Sequence, residues 1–145
     1  MKIFTTRIAM LFALLSFTTM GFQAMAQPCS WDFENPTECD ISVELKLTCN
    51  GQVTIYSGTV PANSTGSVPH LTGPTISPCN HVGCDIEIIL NGTSVYNSAA
   101  AMSLPQKYCA PQSSCPGGAT DRGISIDNVD FTNNEIAASL DDSAC

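Results

Sequence analysis

Positive charge is scarce in this sequence. The 145 residues include five lysines and arginines against 13 aspartates and glutamates, and the formal net charge is −8. Such a chain repels the phosphates of nucleic acids and the surfaces of anionic lipids, so we expect neither as a partner. The acidic excess favours solubility and association with cationic molecules.

Aromatic residues are also few, at 7% of the chain. A small domain whose core has so few large rings benefits from crosslinks. The sequence contains eight cysteines: Cys29, Cys39, Cys49, Cys79, Cys84, Cys109, Cys115 and Cys145. In an exported chain this even number predicts up to four disulfides, without indicating how the cysteines pair.

Only the N-terminus contains a long apolar run. Basic residues precede an apolar stretch over residues 8–17, and residues 24–26 (Ala-Met-Ala) have the small side chains of a cleavage site. This pattern predicts a signal peptide over residues 1–26. The stretch is short for a spanning helix, which needs about 20 apolar residues, so we expect no membrane insertion after cleavage.

The remaining residues, 27–145, are enough for one domain. Cleavage would remove two of the five basic residues and none of the acidic ones. The mature chain would then contain three basic and 13 acidic residues, a net charge of −10. We therefore expect a single, acidic, secreted domain.

Residues 39–49 contain the clearest pattern in the chain. Apolar and polar residues alternate without a break, which predicts a strand with one core face and one solvent face. The Asn50-Gly51 pair that follows predicts a hairpin turn, with a return strand over residues 53–58.

The loop length of this hairpin decides which side chains face the core. A two-residue loop would place Val53 and Ile55 on the solvent face. A three-residue loop would instead pair Cys49 with Val53 and Leu47 with Ile55 on the core face. We therefore predict the three-residue loop.

A second hairpin follows the same pattern. Residues 84–90 alternate, an Asn-Gly pair occupies positions 91–92, and residues 93–96 form the return strand. Here a two-residue loop pairs Ile88 with Val95, which suits the core.

The remaining sequence predicts shorter elements. Residues 31–33 form a first strand, and residues 105–123 are rich in Pro, Ser and Gly and predict a long loop, which contains Cys109 and Cys115.

Late strands are predicted at residues 124–126 and 129–131. Thr132 and Glu135 have capping-box spacing, which favours one or two helical turns over residues 136–140. Short strands with closely spaced turns predict an all-β fold. We expect a small, disulfide-stapled antiparallel β-sandwich, immunoglobulin-like or jelly-roll-like, with at most a short C-terminal helical turn.

Two segments contain possible metal ligands. Cys79, His81 and Cys84 lie within six residues, but their spacing matches no common zinc pair, and disulfides are favoured in an oxidising compartment. Asp127 and Asp130 lie in a segment rich in oxygen ligands for calcium, without the spacing of a helix-loop-helix site. We expect no metal at either segment and no cofactor.

Catalytic residues are not evident. The only histidines are His70 and His81, and neither lies in a recognisable nucleophile–base motif. We therefore expect no enzyme, although the acidic residues leave a small carboxylate-dependent hydrolase as one alternative.

The leading hypothesis is a non-catalytic extracellular binding or structural module. Its ligand would be a glycan, a surface protein or a second copy of the chain, recognised through loops. Another alternative is a secreted inhibitor or toxin-like effector that presents the segment between Cys109 and Cys115, with Lys107 and Arg122 nearby.

Overall fold

Nine β-strands make up most of the described chain. The computed structural model describes residues 29–64, 71–72 and 81–145. In chain order the strands are β1 (Ser30–Phe33), β2 (Ile41–Cys49), β3 (Gln52–Val60), β4 (Leu71–Thr72), β5 (Asp85–Leu90), β6 (Thr93–Asn97), β7 (Gln106–Cys109), β8 (Gly123–Asp130) and β9 (Glu135–Leu140). Short 3-10 turns occur at Ser98–Ala100, Gln112–Ser114 and Asp142–Ala144. The predicted signal peptide lies outside the described residues.

The strands form two sheets that share β1. The first sheet has the order β6-β5-β2-β3-β4-β1, and the second continues as β1-β9-β8-β7. Neighbouring strands are antiparallel except β1 and β9, where Asp32 pairs with Glu135 and Phe33 with Ile136 in parallel. The first strand therefore joins the two sheets, since it pairs with β4 at one edge and with β9 at the other.

One hydrophobic core lies between the two sheets. Trp31 and Phe33 from the shared strand are fully buried, together with side chains from β2, β3 and β5 of the first sheet. Ile124, Ile126 and Ile136 contribute from the second sheet. The predicted all-β, disulfide-stapled fold is confirmed.

The first hairpin differs from its prediction. Asn50 and Gly51 adopt positive φ angles of 51° and 80°, and Cys49 pairs directly with Gln52 across a two-residue turn. Two consecutive residues with positive φ match the twist of the flanking strands. The predicted three-residue loop is therefore wrong, and Val53 and Ile55 face solvent.

The observed register buries apolar side chains of both strands in the core. It pairs Tyr56 with Leu45 and Val60 with Ile41, and all four side chains are fully buried. A shift by one residue would turn Tyr56 outward, because successive side chains point to opposite faces. The observed register thus buries Tyr56 and Val60 and leaves Val53 and Ile55 in solvent, as the two-residue turn requires.

The second hairpin has the predicted two-residue turn, with Leu90 paired to Thr93. A β-bulge then shifts the register, so that Ile88 pairs with Tyr96 and not with Val95 as predicted. Val95 remains buried, and Tyr96 packs against the core as well. The extra residue of the bulge thus brings two adjacent apolar side chains to the interior.

The C-terminal part is more regular than predicted. The two late strands are one strand, β8, with a bulge between Ile126 and Asn128, and the predicted loop over residues 105–123 contains strand β7. The helical turns predicted over residues 136–140 are wrong. That segment is strand β9, because a turn over residues 131–134 reverses the chain and alternate side chains enter the core.

Three disulfides crosslink the described residues. They join Cys39 to Cys115, Cys49 to Cys84, and Cys109 to Cys145. No described cysteine is free, and Cys79 lies outside the described residues. Disulfides of this number indicate an oxidising, extracellular-type environment. Within residues 29–64, 71–72 and 81–145, no helix has the length and hydropathy of a membrane span.

Candidate ligand-binding face

The outer face of the first sheet consists of the side chains that alternate with the core residues of β2, β3, β5 and β6. The strand register aligns these side chains in rows across the sheet. The first row contains Val53, Thr48 and Asp85; the second contains Ile55, Lys46, Glu87 and Asn97; the third contains Ser57, Glu44, Ile89 and Ser94. We refer to these eleven residues as the outer face.

Two large aliphatic side chains of the outer face are exposed. Val53 is 60% exposed and Ile55 is 47% exposed, and both lie on β3. They are two residues apart on one strand, so they form one continuous aliphatic strip. Burying such groups against a partner is favourable by about 25 cal/mol for each Å² of apolar surface.

A single cation lies beside this strip among the outer-face residues. The ammonium of Lys46 is 3.6 Å from a carboxylate oxygen of Glu44 and 3.7 Å from one of Glu87. The Ser94 hydroxyl donates a 2.7 Å hydrogen bond to the other oxygen of Glu87. With Asp85, the outer face has three carboxylates and one ammonium, so its formal charge is −2.

An open depression of about 250 Å³ lies at one end of the outer face. Val53 and Ala99 contribute aliphatic groups to its lining, and Asp85, Glu87 and Lys46 contribute charged groups. Ala99 comes from the 3-10 turn after β6, where the Asn97 side chain accepts a hydrogen bond from the Ala100 amide. The turn therefore forms the far wall of the depression.

His81, which sequence analysis placed beside possible zinc ligands, belongs to the core. It is 2% exposed. Its Nδ1 is 3.0 Å from Oδ1 of Asn134, and its Nε2 is 3.2 Å from the hydroxyl of Tyr56. Because an amide oxygen only accepts, the Asn134 contact matches the tautomer with its proton on Nδ1, in which Nε2 accepts from the tyrosine. Burial raises the pKa of Tyr56, which keeps its hydroxyl protonated as that donor.

Of the two cysteines considered beside His81 as zinc ligands, the structure describes Cys84. Cys84 is bonded to Cys49, and a disulfide sulfur does not bind zinc as a thiolate does. Cys79 and His70 lie outside the described residues. Among the residues that the structure describes, no group of three or more His, Cys, Asp or Glu side chains has metal-binding geometry.

The two aspartates considered for calcium have local partners. The Asp130 carboxylate accepts from the backbone amides of Asn133 and Thr132 and from the Asn133 side chain, at 2.7–3.1 Å. These hydrogen bonds, with the Asn133 amide first, hold the pKa of Asp130 below its usual range. Asp127 accepts from the hydroxyl of Ser125 at 2.7 Å. Asp130 thus caps the β8–β9 turn.

The segment considered for an inhibitor is held by two separate disulfides. Cys109 and Cys115 do not bond to each other, and each connects to a distant part of the chain. Lys107 lies within β7, where its ammonium is 2.7 Å from the Asp141 carboxylate. This basic residue is therefore part of a paired strand and not of a protruding loop.

Sequence reasoning missed the exposed strip because it gave the apolar pattern priority over the turn. The Asn50-Gly51 pair was the available signal, since Asn-Gly favours a two-residue turn. Sequence reasoning also missed Asn35, which is fully buried and donates through its side-chain amide to the carbonyls of Cys39, Val60 and Pro61.

Comparison with known proteins finds no matching family model, no matching curated protein and no matching solved structure. The candidate site therefore rests on the geometry and chemistry of the outer face.

Proposed function

We propose that this protein is an exported, non-catalytic binding module that recognises a protein ligand through its outer face. The observation that carries the proposal is the exposed pair Val53 and Ile55. Their register leaves two large aliphatic side chains in solvent on a sheet face that is polar apart from them and the half-buried Ile89. Contiguous exposed apolar surface with a polar rim is typical of interaction sites.

The chemistry of the outer face favours a protein over a glycan as the ligand. Val53 and Ile55 present branched aliphatic groups, which pack against aliphatic side chains of a partner. The formal charge of −2 on the outer face complements a basic surface, and the whole chain has a net charge of −8. We therefore propose a ligand surface with aliphatic residues flanked by lysine or arginine.

Export is supported by the disulfides and by the N-terminal pattern. Three disulfides in so small a domain are typical of proteins that fold outside the reducing cytosol. The basic start, the apolar stretch and the small residues before position 27 are typical of a signal peptide. We propose cleavage after Ala26 and release of residues 27–145.

The described histidine and cysteines support a non-catalytic function, because their reactive atoms are already bonded within the protein. His81 uses both ring nitrogens in buried hydrogen bonds, which leaves neither nitrogen for proton transfer to a solvent-borne substrate. The described cysteines that form the three disulfides are not available as nucleophilic thiolates.

The experiment that tests this function compares three immobilised proteins. Oxidised residues 27–145 are exposed to the extracellular proteins of the source culture, alongside the variant Val53→Thr/Ile55→Thr. Leu140→Thr is the matched control, because Leu140 is 45% exposed but lies on the second sheet. We expect one protein to be retained by the wild type and Leu140→Thr and lost by the double variant.

Binding of the recovered protein is then measured by calorimetry with purified components. Equal retention by all three chains, or equal loss with Leu140→Thr, would contradict the outer face as the site. A glycan that binds with the same dependence on Val53 and Ile55 would replace the protein as ligand. Dimerisation that the double variant abolishes would make a second copy the ligand.

A further inference from the structure

The depression beside the aliphatic strip combines two kinds of wall. Val53 on one side and Ala99 on the other present methyl groups, whereas Asp85 and Glu87 lie two residues apart on β5 and point to the same face. An arginine side chain has the matching order of groups, because an aliphatic stem carries a planar cation at its end.

The carboxylates of this depression are not saturated by the protein itself. Glu87 accepts one short hydrogen bond, from the Ser94 hydroxyl at 2.7 Å. Lys46 approaches its other oxygen only to 3.7 Å, longer than the roughly 2.7–2.9 Å of a charge-assisted hydrogen bond. Ser98 donates to Asp85 at 3.3 Å. Acceptor capacity therefore remains on both carboxylates, since each ionised oxygen has two lone pairs.

Lys46 already contacts Glu87, one of the two carboxylates that a ligand cation would use. Its ammonium lies between Glu44 and Glu87 within the second and third rows of the outer face. An incoming cation would compete with this ammonium for Glu87 and would be repelled by it. Removal of the Lys46 charge should therefore strengthen the binding of a cation, whereas removal of a carboxylate should weaken it.

We propose that the depression receives an arginine side chain of the protein ligand. Its stem lies between Val53 and Ala99, and its guanidinium donates to Asp85 and Glu87. This inference rests on the proposed function, since it names the residue of the ligand that the outer face recognises. The opposite effects of Lys46 and the carboxylates distinguish it from general adhesion to the aliphatic strip.

The test is an NMR titration of oxidised, ¹⁵N-labelled residues 27–145 with Nα-acetyl-L-arginine amide. The corresponding citrulline amide is the matched probe, because it has nearly the same shape without the charge. We expect the arginine probe to shift the amide signals of Thr48, Asp85, Glu87 and Asn97, and the citrulline probe to leave them in place.

Three variants of the depression and one control variant sharpen the test. Asp85→Asn and Glu87→Gln should each weaken the apparent affinity roughly two- to fivefold, the range for a partly exposed ion pair. Lys46→Met, which keeps the aliphatic length, should strengthen it by a similar factor. Asp142→Asn removes an exposed carboxylate on the C-terminal turn and should change nothing. Added salt should weaken binding of the arginine probe.

Equal shifts with both probes, no shifts at all, or weaker binding by Lys46→Met would overturn the arginine site. Such a result leaves the proposed function standing if the ligand is still retained through Val53 and Ile55. Loss of that retention would overturn the proposed function, whatever the titration shows.

Discussion

The two Asn-Gly hairpins of the first sheet have the same type of turn but differ in the register of their return strands. Both turns have a positive-φ Asn and Gly and connect antiparallel strands through two residues. In the second hairpin a bulge opposite Ile88 and Ile89 brings Val95 and Tyr96 to the core. The first hairpin has no bulge, so Tyr56 is buried and Val53 and Ile55 stay in solvent.

This difference indicates that the turn residues set the strand register and that a bulge can then shift it to bring apolar side chains to the core. The second hairpin shows that the protein accommodates such a correction in the same sheet. Strand β3 has no such bulge, so Val53 and Ile55 stay exposed, and we therefore assign binding to them. Each of the following experiments tests one part of this comparison.

The largest expected effect comes from the two tyrosines. Tyr56→Ala should lower the free energy of unfolding by roughly 3–5 kcal/mol, as for other large buried rings. Tyr96→Ala should cost roughly 1–3 kcal/mol, because Tyr96 is only half-buried. Urea denaturation of the oxidised proteins measures both. A larger cost at Tyr96 would contradict the assigned register of the first hairpin.

The two valines should differ in the same way. Val95→Thr places a hydroxyl in the core and should destabilise the fold by roughly 1–3 kcal/mol. Val53→Thr changes an exposed strand position and should stay within about 0.5 kcal/mol of the wild type. Thermal unfolding of both variants checks the difference, and similar costs would mean that Val53 is buried.

The two turns themselves should respond alike. Gly51 and Gly92 both have φ of 80°, and a Cβ at either would meet no atom within 4 Å. Substitution by Ala therefore adds only backbone strain, roughly 1–2 kcal/mol at each position. Denaturant midpoints of Gly51→Ala and Gly92→Ala should fall by similar amounts. A neutral Gly51→Ala would show that the first turn is not the two-residue type.

The smallest effect concerns the β8–β9 turn, which is held by a carboxylate and not by Asn-Gly. The hydrogen bonds that the Asp130 carboxylate accepts from Asn133 and Thr132 lower its pKa. A lowered pKa stabilises the turn above the unfolded value of about 3.9. That stabilisation is lost as the pH falls through the lower, folded value. Below that pH, the Thr132 and Asn133 amides should lose protection against hydrogen exchange, measured against the intrinsic exchange rate at the same pH. The protection of amides in the Asn-Gly turns should not change.

Much of the fold follows from local patterns in the sequence. The alternation over residues 39–49 predicted β2, and both hairpins occur where Asn-Gly pairs predicted them. The strand β9 was missed because capping-box spacing at Thr132 and Glu135 is a local signal. The burial of Ile136 and Ala138 between the sheets depends on tertiary contacts, which a local pattern does not report.

The candidate face was less predictable for a physical reason. Whether Val53 and Ile55 or Tyr56 faces the core depends on a one-residue choice between turn geometry and apolar area. The depression also requires the 3-10 turn with Ala99 to lie beside β5. The disulfide pairing is not encoded in a local pattern either, because each bond joins segments far apart in the chain.

The register of the first hairpin is the premise of both the proposed function and the arginine site. Cross-strand nuclear Overhauser effects in the oxidised protein measure it directly. We expect contacts that pair Thr48 with Val53 and Lys46 with Ile55. Contacts that pair Cys49 with Val53 and Leu47 with Ile55 would place the aliphatic strip in the core and contradict the outer face as a binding surface.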